Sequence, residues 1–336
     1  MAVHVCLARA VGVRVREGPV RIALVFPGQG SQTVGMARAL REGPGSDIFR
    51  AADDALGEAL STVIADGPAE LLDRTENSQP AILAASVAFH RAWTERATAI
   101  GLPAPSYHAG HSMGQYSAMV AAGVLELADA VRLVRLRGQL AQEHAGGGAM
   151  AAIIGLDDAR LPELAALGRA IGPFEIANRN SPGQVVISGD RAAVLAACDT
   201  ARDFGAKRAI VLPISIAAHS PLMAGAVDGM RAALDRSTLR DPVVPLLANG
   251  DARVLATAAE CRTELLEHLT GGVDWVRTVR TLAADGVDTF IEVGPGKVLT
   301  NLVKRIDPSV TTLATDDPNE PGGVADPAAL LSPVTE

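Results

Sequence analysis

Arg21–Phe26 reads RIALVF and stops at Pro27-Gly28. A nearly continuous apolar run of this length, closed by turn residues, is what a strand buried on both faces requires. Such strands belong to parallel sheets covered by helices. Helical text follows at Val34–Leu40, Ser46–Leu60 and Pro68–Leu72. Gln79-Pro80 then opens a segment over Ala81–Thr94, with proline in a first-turn position. A short strand at Ser106–Gly110 and helices at Gln115–Ala122 and Leu127–His144 continue an α/β alternation.

The texture changes after Gly146-Gly147-Gly148. Strand-like Ala149–Ile154, helical Asp157–Leu167, strands at Phe174–Ala177 and Gln184–Ser188, helical Arg191–Phe204 and a strand at Arg208–Leu212 follow in order. That βαββαβ order predicts a small ferredoxin-like subdomain over residues 146–212, set into a larger body. The larger α/β subdomain is expected over residues 19–145 and 213–312, with helices at Leu222–Leu234, Ala258–His268 and Val298–Ile306 and a strand at Thr289–Val293. Residues 1–18 read as an N-terminal extension. The Pro-, Gly- and Asp-rich tail, 313–336, is expected to be disordered.

Composition removes several function classes. Thirty basic residues against 38 acidic ones leave a net charge of −8, and only Lys207, Lys297 and Lys304 are lysines. A nucleic-acid binder needs a basic excess, so no nucleic-acid partner is expected. The three cysteines, Cys6, Cys198 and Cys261, are far apart, with no CxxC pair. That excludes a disulfide framework and a Cys-rich zinc site, so no metal is expected. No apolar stretch has the length of a membrane span, and the first 18 residues lack a clean signal-peptide core. The chain reads as soluble, cytoplasmic and monomeric, with no membrane partner.

Gly110-His111-Ser112-Met113-Gly114 is a G-x-S-x-G pattern between a strand and a helix. There the glycines let the backbone turn tightly and raise the serine hydroxyl over a helix N-terminus that favours an oxyanion. Ser112 is therefore a candidate nucleophile, the alternative being a helix cap. Its base must be one of seven histidines. His4 lies in the extension, and His90 and His144 lie in or beside helices. His108 and His111 are too near in sequence to fold back on Ser112. His219 precedes Ser220-Pro221 in a loop after an apolar segment, where α/β folds display catalytic groups; His268 is the runner-up. The second glycine motif, Phe26–Gln32 (FPGQGSQ), lacks the G-x-G-x-x-G spacing of a dinucleotide site and suits a turn that aims N–H groups at an anion.

Together these segments resemble the malonyl-CoA:acyl carrier protein transacylases and the related acyltransferase domains of polyketide synthases. The carriers are FPGQGSQ, Gln79-Pro80-Ala81, GHSMGQYSA (Gly110–Ala118) and VRLVRLRG (Val131–Gly138). They continue with GAMAAIIGL (Gly148–Leu156), NSPGQVVISG (Asn180–Gly189), HSPLM (His219–Met223) and EVGPGKVLTNLVKR (Glu292–Arg305), in the family's order. The resemblance implies an α/β-hydrolase-like large subdomain with a central, mostly parallel sheet. It implies Ser112 as the acyl-accepting nucleophile, His219 as its base, and the backbone N–H groups of Gln29 and Met113 as the oxyanion hole. It makes Arg137 the clamp for the substrate carboxylate, with Gln79 and Ala218 lining the pocket. On a helical wheel of about 100° per residue, Arg135 and Arg137 flank one stripe equally, so only the motif prefers Arg137. Two positions depart from the family: Gln115 stands where Glu is common. His268 stands where a Gln supplies the main-chain carbonyl that orients the base.

The implied reaction is malonyl transfer from malonyl-CoA to the phosphopantetheine thiol of acyl carrier protein, in fatty acid biosynthesis, with no cofactor. Carrier docking would need a basic rim, for which Lys207, Arg208, Lys304 and Arg305 are candidates. Competing readings are a methylmalonyl- or ethylmalonyl-selective acyltransferase of a polyketide pathway, a serine esterase or thioesterase, and a non-catalytic carrier-binding module.

Overall fold

The computed structural model describes residues 20–214 and 216–331. The N-terminal extension, 1–18, lies outside the described residues. β1 (Ile22–Phe26) is buried along its whole length and pairs in parallel with β2 (Tyr107–Gly110) and β10 (Thr289–Glu292). The sheet runs β11-β10-β1-β2-β7-β8, with β7 at Leu246–Leu247, β8 at Val254–Leu255 and β11 at Thr311–Ala314. Its pairings are parallel except the β7–β8 hairpin. Alternation along β1 divides its side chains between two cores. Ile22, Leu24 and Phe26 join the larger one, while Ala23 and Val25 face Trp275, Leu282 and Phe290 on the other side.

The helices over the first face are α1 (Ser46–Leu56), α2 (Thr75–Ala99), α3 (Gly114–Ala121) and α4 (Leu127–Ala145). α2 starts earlier than Gln79-Pro80 and carries Pro80 inside it. The proline removes one helical hydrogen bond, but Gln79–Ala85 is almost wholly buried, and packing holds the turn together. The expected helix over Val34–Leu40 shrinks to Arg38–Arg41, since Gly35 (φ 83°) and Ala37 (φ 52°) leave helical space.

The second sheet runs β6-β3-β5-β4, from β3 (Ala149–Ile154), β4 (Phe174–Ser181), β5 (Gln184–Gly189) and β6 (Arg208–Val211). Covered by α5 (Leu161–Ile171) and α6 (Arg191–Thr200), it has the antiparallel order of a ferredoxin-like unit. A fifth strand, β9 (Val273–Asp274), comes from the later chain and pairs in parallel with Asn178 and Arg179 of β4. The segment after β6 returns to its start, bridging Ile216 to Gly146. The helices after this unit are α7 (Ala226–Leu234), α8 (Ala258–Thr270), α9 (Trp275–Ala284) and α10 (Val298–Ile306).

The expectation of a disordered tail from 313 is corrected as far as Leu331. β11 extends the parallel sheet, Ala325 N–H donates to the Thr315 carbonyl at 2.9 Å, and Val324 is fully buried. The composition suggested disorder because its few apolar residues lack periodicity; the exposed edge of β10 supplies the pairing that local sequence does not show.

His108 is buried on β2, its ring edge-on to Phe26 at 5.6 Å and to His90 at 6.1 Å. Burial, helped by the neighbouring His90 and opposed by the Ala118 carbonyl, drops its pKa to about 3. The unfolded chain takes up this proton near pH ~6.5, whereas the folded one refuses it until about pH 3. Stability held above that window is therefore lost as pH falls through it. Replacing His108 with Leu should flatten the acid slope of the unfolding free energy between those limits by about 1.4 kcal/mol per pH unit, in urea titrations. An unchanged slope would contradict this assignment.

Candidate active site

Three parallel strands deliver the site at their C-terminal ends, where open α/β sheets display ligand-binding loops. β1 leads into Pro27–Gln32, β2 into His111–Gly114, and β7 into Ala248-Asn249. Ser112 occupies the sharp turn between β2 and α3, with φ +53°. Both glycines of the motif are sterically required there. A Cβ on Gly110 would lie 2.1 Å from the Gln115 amide nitrogen, and one on Gly114 2.2 Å from the Phe26 carbonyl oxygen. Strain of this kind persists only where surroundings over-determine the backbone. Here Ser112 N–H donates to Asn249 Oδ1 at 2.8 Å.

His219 Nε2 lies 2.6 Å from Ser112 Oγ. Its Nδ1 faces two carbonyl oxygens, His268 at 2.7 Å and Gly271 at 2.9 Å. Carbonyls only accept, so the ring proton sits on Nδ1 and the Nε2 lone pair faces the hydroxyl. Ser112 Oγ–H thus donates to His219. His219 is 2% exposed, and its pKa falls to about 3 through burial first, then the Arg137 cation and His268, against the two carbonyls. The imidazole is neutral at pH 7, the state in which it can take a proton.

Arg137 is 4% exposed on α4. Its Nη1 donates to Gln79 Oε1 at 3.0 Å and its Nη2 to Ser112 Oγ at 3.2 Å. It forms no ion pair among the described residues, and burial pulls its pKa below the usual arginine value. Arg135, equivalent on the helical wheel, pairs instead with Glu58 at 3.0 Å. A buried guanidinium with no carboxylate is costly unless an anion arrives to meet it.

The backbone N–H groups of Gln29 and Met113 enter no hydrogen bond among the described residues. Their loops are in close contact, since a Cβ on Gly28 would lie 2.6 Å from the His111 carbonyl oxygen. Gln115, fully buried, accepts from Gly110 N–H at 3.0 Å and donates from Nε2 to the Leu247 carbonyl at 2.9 Å. An ionised Glu could make the first bond but not the second, so the amide fits this position. Ala218 packs beside Met150, Ala177 and Val186 on the open face of the second sheet.

The four basic candidates lie outside this cluster. Arg208 opposes Ile154, Ile154 opposes Gln184, and Arg305 Nη1 donates to Gln184 Oε1 at 2.9 Å. Arg208 and Arg305 therefore share one end of the second sheet; Lys207 adjoins the first and Lys304 the second. Gln184 also opposes Ser181, next to Asn180, whose Oδ1 lies 2.9 Å from His111 Nε2. Sequence reasoning placed Asn180 in a motif without giving it a role, and missed Asn249, Glu264 and Trp275, which carries the His111 ring edge-on at 5.6 Å.

In the free protein, His219 should stay neutral well below pH ~6.5 in nitrogen-15 NMR titrations. Arg137→Gln should move its titration upward, because the cation next to it is gone. A wild-type imidazole that protonates near pH ~6.5 would contradict the geometry.

The chain is similar to known proteins along most of its length. The acyl transferase domain family matches residues 23–315. A malonyl CoA-acyl carrier protein transacylase of Escherichia coli (strain K12) is 46% identical over 312 residues, spanning 91% of this chain and 98% of that protein. The crystal structure of a malonyl-CoA:acyl carrier protein transacylase from Xanthomonas oryzae pv. oryzae superposes with a TM-score of 0.86 at 42% identity, over 94% of this chain and 98% of the other. A malonyl-transacylase in complex with its type II PKS acyl-carrier protein superposes with a TM-score of 0.82 at 41% identity, over 88% and 95% of the two chains. The chain belongs to the acyl transferase domain family, among the malonyl-CoA:acyl carrier protein transacylases.

Proposed function

We propose that this chain moves a malonyl group from malonyl-CoA to the phosphopantetheine thiol of acyl carrier protein, through an ester on Ser112, in fatty acid biosynthesis. The observation that carries this reading is Arg137, a buried cation with no carboxylate partner among the described residues, 3.2 Å from the Ser112 hydroxyl. His219 Nε2 takes the Ser112 proton as Oγ attacks the thioester carbonyl. The resulting oxyanion meets the Gln29 and Met113 amides, and the C–S bond then breaks as CoA leaves with the proton from Nε2. The carrier thiol reverses these steps: it gives its proton to His219, attacks the ester carbonyl, and Ser112 recovers the proton. Atoms and charge balance with these groups and the two substrates alone.

Arg137 plays two parts in this scheme. Its planar fork binds the free malonyl carboxylate bidentately, and Gln79 holds the fork in place. The bound carboxylate also offsets the cation that depresses His219, so the base strengthens when the right substrate is present. An uncharged acyl group leaves the guanidinium unpaired and the base weak. In a serine hydrolase a carboxylate usually orients the histidine; two main-chain carbonyls do so here, which favours the transferase reading.

The basic end of the second sheet, with Lys207, Arg208, Lys304 and Arg305, is our candidate for the acidic carrier, since it adjoins Asn180 and thereby the Ser112 turn. We divide the chain into an inserted unit (146–212) and a body before and after it that runs through β11 to Leu331, with the carrier spanning both. A cytoplasmic setting belongs to the same proposal, supported by the free thiols of Cys198 and Cys261. No described helix is long and apolar enough to cross a membrane.

Arg137→Ala should slow malonyl transfer by about 10–100-fold while changing acetyl transfer several-fold at most, in single-turnover assays with both thioesters. Equal losses on both would remove the clamp. Arg208→Glu with Arg305→Glu should raise KM for holo-carrier about 10-fold and leave KM for malonyl-CoA unchanged. An unaffected carrier KM would move the docking site elsewhere.

A further inference from the structure

We infer that Glu264 is a positioning residue shared by both halves of the Ser112–His219 pair, holding each through a different neighbour. The inference rests on the function proposed above and names a residue that neither the motifs nor the helical pattern singled out.

Glu264 lies on α8 with its side chain 2% exposed. Its Oε1 accepts two hydrogen bonds from Asn249, from the backbone N–H at 2.8 Å and from Nδ2 at 3.1 Å. That pairing decides which way the Asn249 amide points. With Nδ2 on the carboxylate, Oδ1 faces outward and accepts from Ser112 N–H at 2.8 Å. The same carboxylate lies 3.8 Å from His268 Nδ1, one helical turn along α8. The carbonyl of His268 is one of the two that receive the His219 Nδ1–H. Arg253 approaches the other oxygen, Nη2 to Oε2 at 3.7 Å. Burial alone would raise the carboxyl pKa, but contacts from His268 and Asn249 hold it below the usual range.

A leucine would fill this interior position without the cost of burying a charge. What a leucine cannot do is accept from Asn249. Without that acceptor the amide is free to turn its Nδ2 toward Ser112, where donor meets donor. The turn at φ +53° then loses the bond that holds its N–H. A displacement of about 1 Å between nucleophile and base costs roughly 100-fold in rate. Substrate binding rests on α2 and α4, through Gln79 and Arg137, and is separate from this chain of contacts.

The test compares Glu264→Leu with Glu264→Gln, whose amide oxygen can still accept both Asn249 bonds. Glu264→Leu should lower kcat for malonyl transfer about 10–100-fold, with KM for malonyl-CoA within about threefold of wild type. Glu264→Gln should restore kcat to within several-fold. A Glu264→Leu enzyme with wild-type kcat, a loss confined to KM, or an equal loss in both variants would overturn the inference. Should Glu264→Leu fail to fold, Asn249→Ala breaks the same link from its other end; there a kcat loss supports the inference and a normal kcat overturns it. A fluorophosphonate probe reads Ser112 reactivity independently of malonyl-CoA. Wild type that reacts with the probe but not with malonyl-CoA would sink the proposed function alone. Equal probe labelling of wild type and Glu264→Leu would sink this inference alone.

Discussion

A buried guanidinium that meets no carboxylate among the described residues is the feature around which the rest is arranged. Removing Arg137 from water without a carboxylate is unfavourable by several kcal/mol, and among the described residues Gln79 and the Ser112 hydroxyl are what it meets in return. Even that needs two helices at unusually close range. Gly138, the next residue on α4, makes the approach possible, because a Cβ there would lie 2.6 Å from the Glu76 Cα on α2. Burial first, and then the same cation, depresses His219 and keeps its imidazole neutral. A dicarboxylic substrate brings the carboxylate that offsets this cost.

Geometry around the nucleophile follows from the sheet. β1, β2 and β7 run parallel and end together, which brings the Pro27 loop, the Ser112 turn and Asn249 to one point. The base arrives from elsewhere, after the chain has left the first sheet, built the second and returned through the Gly146–Ile216 bridge. β9 then ties the two sheets at Asn178 and Arg179, close to Asn180 and its contact with His111. Orientation of the base by carbonyls of α8 and the loop after it makes side-chain identity at His268 secondary for that role. The imidazole of His268 is packed between Tyr116 and His219.

How much was legible depended on whether chemistry was written locally. Ser112 was visible because the turn needs small residues at Gly110 and Gly114, whose Cβ atoms would collide with backbone. β1 was visible because a strand buried on both faces has no room for polar residues. Arg137 could not be separated from Arg135 by periodicity, since both flank the same stripe; partners distant in sequence distinguish them, Glu58 for Arg135 and Gln79 for Arg137. β11 and β9 are short edge strands defined by their partners, so their own residues carry little signal. Asn249 and Glu264 were invisible for a similar reason: an Asn before Gly reads as a turn, and a Glu on a helix reads as solvated surface.

The central claim is that Ser112 carries the acyl group between donor and acceptor. Peptide mapping by mass spectrometry, after incubation with malonyl-CoA and no carrier, addresses it directly. The account predicts one malonyl group on Ser112 in close to every chain, absent from Ser112→Ala and removed when holo-carrier is added. A wild-type chain that stays unmodified, or that carries the group elsewhere while transfer proceeds, would contradict it.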